Sequence, residues 1–226
     1  MRLGILFSGG KDSCLALNIA RRWHDIVCLI TIKSLNLESY MFHTPNVGMA
    51  TLQAKAMSIP LVEVETDGEK ETELLDLEKA MAEAMNLYKI QGIATGTLAS
   101  VYQAARVQCI CNKLNIWCYN PLWMRIPESI LRELLKKEFK VMITGVFAYP
   151  LTEDYLGRVL DEVLVDDLVE MEQRYRINPS GEGGELETTV LDGPDFHHPL
   201  EIIETSVQYK NYSGTMDIIK ARVGDR

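Results

Sequence analysis

Apolar positions along this chain fall into short continuous runs separated by longer stretches of helical period. Residues 3–7 and 27–32 are near-continuous apolar segments of strand length, and residues 61–65 and 92–95 are shorter versions of the same. Between them, residues 12–23, 47–58 and 71–87 space their apolar side chains three and four apart, which gives a helix one buried face. A strand that is apolar throughout is buried on both sides, and its alternation with helices of this length predicts βαβ units. The expected fold is therefore α/β, with a doubly wound parallel sheet.

The second half is less regular. A helix is expected over 101–114, a short strand over 117–120 stopped by Pro121, and a helix over 126–138 with Pro127 in its first turn. A strand at 140–146, a helix at 166–176 and two alternating segments, 187–191 and 201–209, complete the pattern. This mixture predicts a second, smaller α+β domain. The division expected is residues 1–100 for nucleotide binding and 101–226 for substrate, with a soft boundary.

Composition narrows the class without naming a chemistry. Of the 226 residues, 47% are hydrophobic and 24% charged, as in an ordinary globular protein. No apolar run approaches the roughly 20 residues that cross a bilayer, and no leader pattern opens the chain. A cytoplasmic protein with no membrane association is the expectation. A net charge of −9 disfavours a broad nucleic-acid surface, which needs many Lys and Arg contacts to phosphate. The five cysteines, 14, 28, 109, 111 and 118, are odd in number and contain no C-x-x-C pair. Neither a zinc site nor a disulfide framework is indicated, and Cys14 and Cys28 read as buried thiols in a reducing compartment.

Chemistry enters at Ser8-Gly9-Gly10-Lys11-Asp12-Ser13, directly after the first strand. A strand ending in a Ser/Gly turn that opens a helix leaves backbone N–H groups unpaired, and the helix dipole adds positive character there. Such a turn suits a phosphate. The spacing is not that of a Walker A loop. A second glycine turn, Gly96-Thr97-Leu98-Ala99-Ser100, follows the strand at 92–95 and falls on the same sheet edge, where open α/β sheets bind ligands. A third unusual stretch, residues 180–188, has three glycines and the acids Glu182, Glu185 and Glu187. If Glu185 and Glu187 both lie in a strand, they project to one face, where paired acids bind a cation or exchange a proton. An exposed acidic turn is the plain alternative.

The first motif resembles the PP-loop of the ATP pyrophosphatases, which split ATP between its α and β phosphates. Over nearly its whole length the chain looks like the archaeal-type diphthine–ammonia ligase family. The matching segments are SGGKDS at 8–13, ESYMFHTPN at 38–46, GTLASVYQ at 96–103, PLW at 121–123, YLGR at 155–158, and GEGGELET with VLDGPDF across 181–196. Many members carry acids where Thr97 and Gln108 stand, so no acid is carried over to those two positions. The additional C-terminal domains of some eukaryotic members are not matched.

That resemblance implies an adenine nucleotide alpha hydrolase-like fold, with ATP and Mg²⁺ as cofactors. It further implies adenylation of the diphthine carboxylate on translation elongation factor 2 and its amidation by ammonium. Lys11, Asp12 and Ser13 are the expected catalytic residues, with Asp12 holding the metal. Ser8, Gly9, Gly10, Thr31, Ile32, Gly96 and Thr97 complete the nucleotide site, the adenine lying against Ile30, Thr31 and Ile32. The trimethylammonium group of diphthine, which has no N–H to donate, suits aromatic faces and carboxylates. Tyr102, Gln103, Trp123, Glu182, Glu185 and Glu187 are the substrate-side candidates. His43, His197 and His198 read as structural. A PP-loop tRNA-modifying ligase or thiolase, and an ATP-sensing module, remain as other readings. Stable nucleic-acid binding is not expected, and a homo-oligomer is left open.

Overall fold

The computed structural model describes residues 1–34, 46, 48–67 and 72–226. Five parallel strands form one sheet: β1 (Arg2–Leu6), β2 (Asp25–Ser34), β3 (Leu61–Thr66), β4 (Gly92–Ala94) and β5 (Trp117–Tyr119). Their order is β3-β2-β1-β4-β5, so the chain builds outward from β1 on one side and then on the other. Helices α1 (Lys11–Arg21) and α2 (Met49–Met57) cover one face; α3 (Thr72–Tyr88) and α4 (Val101–Leu114) cover the other. This is the doubly wound parallel sheet expected from the apolar pattern.

A second sheet is antiparallel, in the order β7-β6-β9-β8. It contains β6 (Lys140–Val146), β7 (Leu186–Asp192), β8 (Leu200–Lys210) and β9 (Ser213–Val223). Helices α5 (Pro127–Lys136) and α6 (Glu162–Tyr175) accompany it. The last strand, β9, is absent from the apolar pattern. It is reached through Asn211 and Tyr212, both with positive φ, and this pair lacks the Asn-Gly signature of a tight hairpin. Helix α6 begins four residues earlier than expected, because Asp161 caps it by accepting from the Leu164 N–H at 2.7 Å.

The expected break at residue 100 falls inside the first sheet. Strand β5 pairs in parallel with β4, so the parallel sheet ends at Tyr119 and the antiparallel sheet starts at Lys140. The two sheets are not separately packed. One hydrophobic core runs from Leu3, Leu15 and Leu17 to Val141, Val146, Leu186 and Val190. An ion pair at its edge joins the partly exposed Arg21 to the buried Asp195, which accepts from Arg21 Nη1 at 3.0 Å and from Asn18 Nδ2 at 2.9 Å.

Candidate functional site

The strand order reverses between β1 and β4, and ligands of open α/β sheets bind at such a switch point. The loop after β1 is the Ser8–Ser13 turn, and the loop after β4 is the Gly96 turn. They touch. A Cβ built at Gly96 would stand 2.7 Å from the Asp12 carbonyl carbon and 2.7 Å from the Ser13 nitrogen. Glycine at this position lets one turn lie directly on the backbone of the other.

The antiparallel sheet supplies the third wall through β7. Gly9, at φ +80°, turns its carbonyl to accept from Val190 N–H at 3.0 Å and from Gln53 Nε2 at 2.8 Å. The same Gln53 amide donates to the Val190 carbonyl at 2.8 Å. The Lys11 N–H donates to Thr188 Oγ1 at 3.2 Å. Strand β7 and a wholly buried glutamine thus hold the phosphate-type turn from below. The Lys11 amide is engaged by Thr188 rather than turned toward a phosphate.

Together these loops enclose a cavity of about 470 Å³. Of the residues expected to bind, Ser8, Gly10, Lys11, Asp12, Ser13, Ile32, Gly96, Thr97, Gln103, Glu182 and Glu187 line it. Its apolar part is formed by Ile30, Ile32, Leu77 and Val107. On the polar side, Lys11 is buried and its ammonium lies 2.7 Å from Asp12 Oδ2, while Asp12 Oδ1 is buried without a partner. Ser8 and Ser13 join their hydroxyls at 3.3 Å, and Ser13 donates to the Gly10 carbonyl at 3.0 Å. Thr97 belongs to a small hydroxyl cluster. Thr95 Oγ1 accepts from the Thr97 N–H at 3.1 Å and donates to Asn120 Oδ1 at 2.7 Å.

The glycine–glutamate loop closes the rim. Glu182 Oε1 accepts from the N–H groups of Ala99 and Ser100 at 2.9 and 3.0 Å, tying the loop to the start of α4. Ser100 caps that helix by accepting from Gln103 N–H. Glu187, in β7, faces the cavity with Oε2 buried and unpartnered, and burial pushes its carboxyl up to about 8. Among the described residues, no group of three or more His, Cys, Asp and Glu could hold a metal ion.

Five expectations are redirected by the geometry, and the first is Gly9, which does not line the cavity but turns its carbonyl to β7 and Gln53. Thr31 lies on the opposite strand face from Ile30 and Ile32, so its hydroxyl donates to the Phe7 carbonyl at 2.7 Å instead of facing the cavity. Glu185 precedes β7, so strand alternation does not govern it. Its carboxylate turns back to accept from Asn178 N–H at 2.9 Å and Gly183 N–H at 2.8 Å, which shapes the loop. Tyr102 is covered by the Arg106 guanidinium, 3.4 Å from its ring centroid, and does not line the cavity. Trp123 is 38% exposed and also lies outside it.

Residues 38–45, His43 among them, lie outside the described residues; Asn46 docks on β9, accepting from Ile218 N–H at 2.6 Å. Gln108, at one of the departing positions, donates to Asn112 Oδ1 at 2.8 Å on α4. All five cysteines are free; Cys14, Cys28 and Cys111 are buried. Cys111 donates its S–H to Cys118, which lowers the Cys118 thiol below its ordinary value and raises Cys111.

Gln53 and Thr188 have structural roles that the sequence reading missed. Gln53 left a faint trace, a lone amide among Ala50, Ala54 and Met57 on the buried side of α2. Thr188 left none.

Comparison with known proteins agrees with this arrangement. The model for the diphthamide synthase N-terminal domain matches residues 1–117, and that for the C-terminal domain matches residues 126–223. Among curated relatives, the diphthine--ammonia ligase of Homo sapiens is 33% identical over 229 residues, covering 91% of this chain and 84% of the relative. The mouse enzyme of the same name is 34% identical over 225 residues, covering 89% and 83%. That of Schizosaccharomyces pombe is 27% identical over 96% of this chain but only 38% of its own length. With both domain models in register on the two sheets that build the cavity, the chain belongs to the diphthamide synthase family.

Proposed function

We propose that this chain is a diphthine–ammonia ligase that uses ATP to activate the carboxylate of diphthine on translation elongation factor 2 and replaces it with an amide. The observation that carries this reading is the convergence of the Ser8–Ser13 turn, the Gly96 turn and the glycine–glutamate loop on one cavity. The apolar slot of Ile30, Ile32, Leu77 and Val107 suits an adenine, and the first turn suits the phosphates. A carboxylate oxygen leaves poorly at neutral pH. Joining the carboxylate to the α-phosphate makes AMP the leaving group and releases pyrophosphate.

Charge then builds on the pyrophosphate oxygens. Lys11 and the Ser8 and Ser13 hydroxyls are fixed beside them before the bond breaks, which is where catalysis gains most. Asp12 fits a magnesium ion: its buried Oδ1 has no protein partner, and Mg²⁺ is often held by one or two carboxylates plus substrate phosphates. Bound there, the ion would neutralise phosphate charge. The rim near Glu182 and Glu187 is the proposed approach for the modified histidine, with residues 1–119 serving ATP and the later residues the acceptor. A cytoplasmic setting accords with this substrate, and among the described residues no helix is long and apolar enough to cross a membrane.

The test is incubation with ATP, ammonium and diphthine-bearing elongation factor 2, followed by mass analysis of the factor. Conversion of the carboxylate to an amide, dependent on ammonium and matched by AMP, is the expected result. Modification of bulk tRNA in its place would establish the tRNA-modifying reading, and binding of ATP without any AMP would establish a sensor.

A further inference from the structure

The activated carboxylate needs ammonia, yet ammonium at neutral pH has no lone pair to attack with. Among the described residues, two carboxylates lining the cavity keep a buried oxygen without a hydrogen-bond partner: Asp12 and Glu187. Asp12 stands beside Lys11 on the phosphate side. Glu187 stands on the opposite wall, in β7. A buried unsatisfied acceptor is costly, and one retained inside a binding cavity calls for a partner.

Glu187 is half-buried, and among the described residues no cation pairs with it. Its cross-strand neighbour on β6 is Gly145, where a Cβ would stand 3.2 Å from the Glu187 Cβ and 2.7 Å from the Phe147 ring. The missing side chain lets glutamate and phenylalanine lie side by side. The charged groups around the cavity are already engaged: Lys11 pairs with Asp12, and Glu182 holds two backbone N–H groups. Glu185, on the same loop, is likewise bonded to two N–H groups.

Resting on the ligase reading above, we propose that Glu187 receives the ammonium ion in the cavity and takes one proton from it before the C–N bond forms. An ammonium N–H would donate to Oε2, satisfying that oxygen and neutralising the buried charge. Transfer of this proton gives a neutral Glu187 and ammonia. The nitrogen lone pair attacks the acyl carbon, the bond from that carbon to the AMP oxygen breaks, and the electron pair leaves with AMP. A second proton passes from nitrogen to solvent, leaving the amide. Burial makes the Glu187 carboxylate more basic than an exposed one, toward the range useful for general-base work near neutral pH.

Hydroxylamine separates this role from the others, because its nitrogen is already unprotonated at neutral pH. The experiment compares unaltered protein with Glu187→Gln on diphthine-bearing elongation factor 2, following AMP, amide from ammonium and hydroxamate from hydroxylamine. General-base loss predicts a fall of about 100-fold or more in the ammonium rate of Glu187→Gln, with the hydroxylamine rate held within about threefold. Glu187→Asp, which keeps the carboxylate, is expected to recover part of the ammonium rate. Equal losses with both nucleophiles, or no loss with ammonium, would overturn the assignment. Absence of AMP from the unaltered protein would instead overturn the ligase reading, and this role with it.

Discussion

Replacing Gly96 with alanine isolates the contact between the two turns. The new Cβ would lie 2.7 Å from both the Asp12 carbonyl carbon and the Ser13 nitrogen, and 2.9 Å from the Asp12 oxygen. All three are backbone atoms, so no flexible side chain can move aside. Ordinary contact begins near 3.4 Å, so the turns must part by about 0.7 Å. Gly96 is not in the left-handed region, so the added methyl acts by volume alone. Overpacking of this kind costs about 2 kcal/mol, which in a chain of 226 residues lowers Tm by about 4–8 °C. Displacing groups that position a reacting phosphate by this distance is expected to lower kcat/KM for ATP by about 10- to 100-fold. Pyrophosphate release at varied ATP, together with a thermal melt, measures both. Gly48→Ala is the control, since among the described residues nothing lies within 4 Å of a Cβ there. Gly96→Ala with unchanged Tm and kcat/KM would refute the argument that the turns are held in contact.

Three other perturbations read different parts of the molecule. Glu182→Ala removes the acceptor of the Ala99 and Ser100 N–H groups, so hydrogen exchange at those two amides should accelerate while exchange in β1 stays unchanged. Arg21→Ala leaves the buried Asp195 carboxylate with Asn18, and the loss, discounted because Arg21 is partly exposed, is about 1–2 kcal/mol in urea unfolding. Glu187→Gln should alter stability in a pH-dependent way. The folded carboxyl is raised from 4.5 to about 8, so below pH 4.5 both states are protonated and the residue contributes no penalty. Above that, the unfolded state releases its proton first, and the penalty grows until the folded pKa is passed. The Tm advantage of Glu187→Gln over the unaltered protein should therefore widen between pH 5 and 8. A constant difference would show that Glu187 is not held in a dry site.

Legibility of the site in the sequence followed the range of the interactions. The Ser8–Ser13 turn and the Gly96 turn were readable because each is a local strand–turn–helix event, and sheet topology brings both to one edge. Ile30, Thr31 and Ile32 lie in the C-terminal half of β2, and only alternation about the actual strand shows that the isoleucines face the cavity and Thr31 does not. The acids failed as a pair because β7 starts at Leu186, one residue too late to include Glu185. Tyr102 and Trp123 are candidates by residue type alone, and no local signal tells an aromatic at a pocket from one beside it. Gln53 and Thr188 act across 44 and 177 residues of chain, distances at which a single sequence carries no pairing information.

The grip of β7 on the nucleotide turn also sets an order of assembly. Gly9 is among the first residues made, yet its carbonyl is held by Val190, and Lys11 is held by Thr188. A growing chain that has completed all five parallel strands still lacks these two clamps and the Glu187 wall. Finished geometry at the Ser8–Ser13 turn therefore waits for the last sixth of synthesis, and a chain released early would lack both clamps and part of the shared core. Joining the opening turn to a late strand makes the closed cavity a property of the finished molecule, not of its first half.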